Sequence, residues 1–331
     1  MISEMRTAPS PADSRMPTDY SQGPLIIFWE ITRACALACR HCRAEAQAKR
    51  HPLELSTAEG FAVIDEMARF QPMPILVISG GDPLMRRDLF DVAAYAVSHG
   101  LRTSLSPSVT ALITSRNLAR VYQAGVRHVS FSLDGATPEV HDAFRGVSGS
   151  YGQTIWSIGA AQEAGLTVQI NTTVSQWNVD QLDALAEIVA RSGAVMWDLF
   201  FLVPTGRARA SEMLSSKQHE DVFHWLYNLS HNVPFRVKTT LGQHFRRVML
   251  QRSAEDGVEA GSVATTNDGK GVCFVSHLGD IYPSGFLPLA CGNVRTQSLV
   301  AVYRSHPVMQ ALRDPAPVSY THLTLPTILR V

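Results

Sequence analysis

The sequence predicts an α/β fold built on a parallel sheet, and three observations carry that expectation. Apolar runs rich in Val, Ile and Phe recur at Leu25–Ile31, Ile75–Ser79, Leu101–Ser106, Val126–Leu133, Thr167–Val174 and Val195–Val203. Several are near-continuous, as strands buried on both faces are. Amphipathic helical stretches separate them. Gly100, Gly125, Gly165 and Gly193 stand where a helix must end and the next strand begin, positions whose left-handed caps favour glycine. Strand–helix alternation of this kind argues for right-handed crossovers within one sheet. An open doubly wound sheet and a partial barrel both satisfy the pattern. In either, ligands bind at the C-terminal ends of the strands.

The elements can be justified in order. Residues 1–24 are polar, lack the apolar core of a signal peptide, and are expected to be a mobile tail on a cytoplasmic protein. Ser56 and Glu59 fit a capping box, with Phe61, Ile64 and Ala68 following at helical spacing. Leu89, Val92, Ala93 and Ala96 share one helical face, as do Leu182, Leu185, Ala186 and Val189. After Pro204 the rhythm changes. Residues 211–231 read as a helix with Val222, Trp225 and Leu226 on one face, and 253–269 as a weakly apolar loop. Residues 270–284 read as a hairpin turning at Leu278-Gly279-Asp280. A boundary is expected near 235, giving a core over 25–235 and an incomplete module over 236–317. Val318–Thr327 matches a translated transposon-end sequencing adapter. Residues 318–331 are therefore expected to be an artefact, with the natural chain continuing differently beyond Pro317.

The chain has 331 residues, 45% hydrophobic and 18% charged, with 29 basic and 29 acidic side chains. That balance excludes a nucleic-acid binder relying on bulk charge, and the apolar content excludes a disordered chain. No apolar run approaches the roughly 20 residues of a membrane helix, so no membrane partner is expected either.

Of five cysteines, Cys35, Cys39 and Cys42 cluster just after the first strand run, where a strand end places chemistry. Three thiolates on one loop can hold three irons of a 4Fe–4S cube and leave the fourth iron open. Zinc and three unrelated thiols are the alternatives. Structural zinc favours four ligands in two pairs, no second CxxC is present, and His41 directly precedes Cys42.

The CxxxCxxC spacing resembles the signature of the radical S-adenosylmethionine (SAM) superfamily. Gly80-Gly81-Asp82-Pro83 resembles that family's GGEP motif, with Asp for Glu. Ser132-Leu133-Asp134-Gly135 is similar to an SxDG strand end, and His141-Asp142-Ala143-Phe144-Arg145-Gly146 to an HDxxRG segment. The resemblance spans residues 25–207 and selects the partial (β/α)6 TIM-type barrel. It implies a 4Fe–4S cluster on the three cysteines, chelation of its open iron by SAM, and reductive cleavage to a 5′-deoxyadenosyl radical that takes hydrogen from substrate. A low-potential donor such as flavodoxin or ferredoxin would supply the electron.

It also implies cofactor contacts. Carbonyls of Gly80 and Gly81 would meet the SAM ammonium, although both glycines also suit a tight turn. Asp82, before Pro83, would fix that turn. Arg145 would pair with the SAM carboxylate, or else form a surface ion pair. Ser132 and Asp134 would reach the ribose, or Asp134-Gly135 would be a strand-end turn. Ser106, Ser108 and Asn171 are further candidates, and His41 and Ala38 would lie near the adenine.

Residues 271–299 resemble the start of the SPASM or twitch auxiliary-cluster region: Cys273, a Gly turn, then Gly292-Asn293. Ser284 stands where that outline has a cysteine. A second iron–sulfur cluster would then belong only to the untruncated protein. Cys273 is either a stranded ligand or a core cysteine, and Cys291 is incidental. Trp29–Cys35 and Arg43–Ala46 look like the branch of SAM-dependent heme synthases and heme d1 enzymes, which implies tetrapyrrole propionate decarboxylation. Arg207 is one possible cation for a propionate. Modification of a ribosomal peptide and a non-catalytic iron–sulfur or zinc scaffold are the other readings.

Overall fold

The computed structural model describes residues 19–257 and 266–314. Strand and helix alternate as β1 (Ile26–Glu30), α1 (Thr57–Ala68), β2 (Ile75–Ser79), α2 (Leu89–Ser98), β3 (Arg102–Leu105), α3 (Ser115–Gln123), β4 (His128–Ser132), α4 (Pro138–Arg145), α5 (Ser150–Glu163), β5 (Thr167–Val174), α6 (Leu182–Ser192) and β6 (Met196–Phe201). Then come α7 (Ser216–Ser230), β7 (Arg236–Thr240), α8 (Phe245–Glu255), β8 (Asn267–Asp268), β9 (Gly271–Val275), β10 (Asp280–Tyr282), β11 (Gly292–Asn293), α9 (Leu299–Ser305) and α10 (Pro307–Arg313).

One sheet runs in the order β11-β10-β9-β1-β2-β3-β4-β5-β6-β7, with β8 beside β9. From β9 through β1 to β7 every pair is parallel. This is the partial barrel of the α/β class, with the loops after the strands gathered at one end. The expected strand runs each hold a strand, some trimmed by a residue or two at the ends.

Helix faces follow the sequence pattern closely. Leu89, Val92, Ala93 and Ala96 are the buried residues of α2, and Leu182, Leu185, Ala186 and Val189 those of α6. Ser56 and Glu59 close the expected capping box of α1. The helix expected over 211–231 begins later, at Ser216, because Ser215 and Gln218 form a second capping box there. Its buried face is Val222, Phe223, Leu226 and Tyr227, with Trp225 at the edge donating to Asp183. The loop expected over 253–269 starts with the last turn of α8 and ends with β8; residues 258–265 lie outside the described residues.

The C-terminal segment joins the same sheet at both sides of the barrel. β7, a polar strand with no apolar run to announce it, pairs with β6. The expected hairpin is β9–β10, closed by Ser276–Gly279 with Gly279 at φ 89°. Its first strand lies beside β1, with Val272 opposite Ile26 and Cys273 opposite Ile27. Residues 19–24, read from composition as part of a tail, are held in place. Tyr20 is buried beneath Gly271, and its carbonyl accepts from the Tyr303 hydroxyl at 3.0 Å. Residues 1–18 and the adapter-like 318–331 lie outside the described residues.

A salt bridge ties this segment to α1: Arg295 Nε reaches Glu59 Oε1 at 2.6 Å. Hydrogen bonds from Arg295 and Ser56 hold the Glu59 carboxyl down at about 2, against an ordinary 4.5. A depressed pKa stabilises the fold above pH 4.5 and loses that contribution as pH falls through about 2. Because the pair is over a third exposed, its contribution is under about 1 kcal/mol. The stability gap between the parent and Glu59→Gln, followed by urea unfolding, is expected to be constant near neutrality and to close below pH 4.5. A gap unchanged at the acid end would show the tie to be without effect.

Candidate active site at the strand ends

The loop after β1 is fixed from three directions. Thr32 donates its hydroxyl to buried Glu54 at 2.7 Å. Cys35 N bonds Gln47 O while Gln47 N bonds Arg33 O, at 2.8 and 2.9 Å. Arg40 N bonds Phe144 O at 3.0 Å. Cys35, Cys39 and Cys42 thereby line one cavity of about 220 Å³. Each sulfur accepts a hydrogen bond: Cys35 from Leu37 N (3.3 Å), Cys39 from Arg145 Nη1 (3.5 Å) and Cys42 from Ala46 N (3.4 Å). Burial pushes the Cys35 thiol up, partly offset by its bond to Ser108. Among the described residues no group of three or more His, Cys, Asp or Glu side chains is already closed around a metal position. The three thiols share a chamber without being drawn together. Soft donors on one wall, with N–H groups behind their sulfurs, suit an iron–sulfur centre with one iron unligated by protein.

The Gly80-Gly81 turn packs backbone to backbone against this loop. A Cβ on Gly80, at φ 146°, would lie 2.3 Å from Thr32 O, and one on Gly81 2.4 Å from Ala34 O. Gly81 N and Asp82 N bond Thr32 O and Ala34 O at 2.8 and 2.7 Å. Both glycines line the cavity, although Gly81 O already accepts from Ser108 Oγ at 2.5 Å. Asp82 faces away from the cavity. It is fully buried, accepts from Leu84 N and Thr110 Oγ1, and so closes the turn that begins at Pro83. Burial pushes its carboxyl up to about 6. Gly81→Ala is expected to destabilise the chain by about 1–3 kcal/mol through backbone overpacking. Thermal unfolding checks this, and an unchanged Tm would contradict the close approach.

The segment 141–146 places a different task on nearly every residue. His141, which burial drives down to about 4, accepts from Asp134 N at 3.2 Å. Asp142 accepts from Tyr151 N and Ser150 Oγ at 2.7 and 3.0 Å, holding the start of α5. Phe144 stacks on His41 at 4.3 Å between centroids. Arg145 reaches into the cavity, and Gly146, at φ 70°, lets the chain pass under Ala38 O. Arg145 is no surface residue: its Nε meets buried Asp134 Oδ2 at 2.9 Å. Burial alone would raise the Asp134 carboxyl, but the Arg145 guanidinium holds it below the usual range.

Ser106, Ser108, Ser132 and His41 line the cavity with the two glycines and Arg145. Asp82, Pro83, Asp134 and Asn171 do not. Asp134 stands behind Arg145, and Asn171 accepts from its strand neighbour Gln169 at 2.7 Å. Ala38 lies on the outer side of the cysteine loop. Arg207 lines the cavity with its Nε and Nη2 buried and without partners among the described residues, and its backbone N–H donates to Cys42 O at 3.1 Å.

Sequence reasoning missed Phe286 and Arg43. Arg43 bonds Glu30 Oε2 at 2.8 Å and Gly285 O at 3.2 Å, and lies over Phe274. His277 meets the other Glu30 oxygen at 3.0 Å. This buried clamp brings the C-terminal hairpin onto the cavity as a wall. Only the apolar setting of Glu30 beside Trp29 hinted that it needed partners. Cys273 and Cys291 belong to the main apolar core, and burial pushes Cys273 up to about 12.

A parallel partial barrel with three cysteines, a glycine pair and a buried arginine around one strand-end chamber fits an enzyme that holds a metal cluster and a small carboxylate-bearing cofactor. The Radical SAM superfamily profile matches residues 29–189. The chain is 39% identical over 307 residues to an AdoMet-dependent heme synthase of Oleidesulfovibrio alaskensis, covering 90% of this chain and 79% of that one. It is 38% identical to one of Methanosarcina barkeri over 89% and 86%. A mycofactocin maturase of Mycolicibacterium smegmatis is 32% identical over 91% and 76%. Among solved structures, Streptococcus suis SuiB bound to its precursor peptide SuiA superposes with a TM-score of 0.69 at 16% identity, covering 88% and 67%. The chain belongs to the radical SAM superfamily. It is an enzyme of the class that uses a 4Fe–4S cluster and SAM. No helix among the described residues is long and apolar enough to cross a membrane.

Proposed function

We propose that this chain converts propionate side chains of an iron-bound tetrapyrrole into vinyl groups in the cytoplasm. The observation that carries the reading is the similarity to heme synthases along 90% of the chain. The cluster and SAM, when bound, supply the reductive cleavage that yields a hydrogen-abstracting radical. Each propionic acid group then loses carbon dioxide, one hydrogen atom, one proton and one electron, which passes to an acceptor. In this reading Cys35, Cys39 and Cys42 hold the cluster. Gly80, Gly81, Ser106, Ser132 and Arg145 face SAM, while Asp82, Pro83, Asp134 and Asn171 support them from behind. Arg207, whose Nε and Nη2 are buried beside the chamber without partners among the described residues, offers a carboxylate partner in a place where an unmatched guanidinium is costly. Residues 25–235 form the catalytic core and 236–317 a partial SPASM/twitch-like region.

The test is anaerobic incubation of the reconstituted chain with SAM, dithionite and iron-coproporphyrin. The expected result is 5′-deoxyadenosine together with porphyrin that has lost one formic-acid equivalent per converted side chain. The mycofactocin maturase similarity supports a second reading, peptide modification. 5′-Deoxyadenosine with untouched porphyrin would turn the assignment that way.

A further inference from the structure

We infer that Leu241 and Phe286 are specificity-determining residues that close on a flat macrocycle from the two edges of the sheet. The inference rests on the proposed conversion of a tetrapyrrole. Among the described residues Glu45 and Leu241 are the two non-glycine residues with positive φ, at 47° and 62°. Leu241 lines the chamber and Glu45 does not. A left-handed backbone crowds the Cβ of a leucine, and it persists only where the surroundings over-determine it. Here they do so on both sides. Before Leu241, Thr240 Oγ1 donates to buried Asp198 at 3.0 Å, and Lys238 Nζ reaches the same carboxylate at 2.5 Å. After it, Gly242 O accepts from Phe245 N at 3.0 Å, and a Cβ on Gly242 would lie 2.7 Å from the Phe201 ring. A leucine therefore carries the strain at the chamber wall, which assigns its side chain a task there.

Phe286 comes to the same chamber from the far end of the sheet. Buried Ser284 fixes its turn, because its hydroxyl accepts from Phe286 N at 3.1 Å and Leu287 N at 3.2 Å. That is a local task for the serine standing where the auxiliary-cluster outline has a cysteine. The Arg43 guanidinium lies 5.9 Å from the Phe286 ring and donates to Gly285 O at 3.2 Å. Leu241 and Phe286 are both half-buried, and the chain beyond Phe286 continues as exposed Pro288, Leu289 and Ala290. Apolar surface thus leads from the chamber outward. The chamber holds about 220 Å³, below the roughly 300–1,000 Å³ of sites that enclose a drug-sized ligand. It admits one edge of a macrocycle and leaves the rest outside. The charge pattern says which edge enters. Arg207 lines the chamber with buried, unmatched N–H groups, which suit a carboxylate, while Leu241 and Phe286 offer apolar contact to the ring that bears it. The propionate edge points inward, toward the three cysteines.

The test uses the full reconstituted chain, with iron-coproporphyrin as probe in anaerobic equilibrium dialysis. Leu241→Gly is expected to raise the dissociation constant about tenfold, as loss of part of a leucine's apolar contact implies. Its Tm is expected to be no lower than the parent's, because glycine adopts the left-handed backbone without strain. Phe286→Leu, which keeps apolar bulk and loses the flat ring, is expected to weaken binding several-fold, and Phe286→Tyr to keep the parent affinity. With SAM and dithionite, a loosely held ring raises the 5′-deoxyadenosine formed per vinyl group in Leu241→Gly and Phe286→Leu, a ratio that a purely structural role would not move. Parental affinity and parental ratio in both variants would overturn the clamp while leaving the tetrapyrrole reading in place. So would a Leu241→Gly chain whose Tm, iron content and affinity fall together beside a parental Phe286→Leu, which would assign Leu241 to the core. A parent that takes up no iron-coproporphyrin would sink the tetrapyrrole reading, and the clamp with it.

Discussion

Cys39→Ala is expected to abolish 5′-deoxyadenosine formation, whereas Cys273→Ala is expected to leave both iron content and product formation at parental levels. The two cysteines differ in what surrounds the sulfur. Cys39 Sγ faces the chamber, accepts from the Arg145 guanidinium and shares its wall with two other thiols. Three ligands are the minimum that leaves one iron open, so loss of one removes the cluster and not merely its affinity. Cys273 sits in β9 against Ile27, fully buried in the apolar core. Its removal costs about 1 kcal/mol, as loss of one methylene-sized group does. Iron per chain, the visible iron–sulfur absorbance and 5′-deoxyadenosine by chromatography check all of this. Iron that falls with Cys273→Ala would restore that residue as a ligand.

These two cysteines also show where the sequence was legible and where it was not. The site's local parts could be read because turn chemistry is written over a few residues. Gly80-Gly81-Asp82-Pro83 and His141–Gly146 each encode their own backbone geometry. The helix faces of α2 and α6 were equally plain from period alone. What escaped was long-range. The hairpin read correctly as a hairpin, but nothing local said that β9 would add to β1 and make Phe286 a wall of the chamber. β7 escaped because Arg236–Thr240 carries one apolar residue, an edge strand whose partners supply its stability. Asp134 stands at the expected strand end, but its partners there come from outside its own segment. Its carboxylate supports Arg145 and accepts from Thr173 N at 2.7 Å, a pairing across separate strand ends.

That pairing carries the second large prediction. Arg145→Met leaves the Asp134 carboxylate buried without its counter-charge, and is expected to cost about 3–5 kcal/mol of stability. The loss belongs mostly to the stranded charge and not to the net worth of the pair. Removing the charge as well should therefore recover most of it: Arg145→Met with Asp134→Asn is expected to unfold close to the parent in urea. The amide can still accept from Thr173 N, so the strand end keeps its bond. Cofactor binding separates the two roles of the arginine. If Arg145 meets the SAM carboxylate, the refolded double variant still lacks the guanidinium and binds SAM at least tenfold more weakly, as loss of one charge-assisted hydrogen bond implies. Asp134→Asn alone keeps the guanidinium in the chamber and is expected to bind SAM with a smaller loss. A single variant as stable as the parent would mean that the ion pair is not desolvated. A double variant with parental SAM affinity would reduce Arg145 to a structural partner of Asp134 and Cys39, and the SAM carboxylate would then need another cation on the chamber wall.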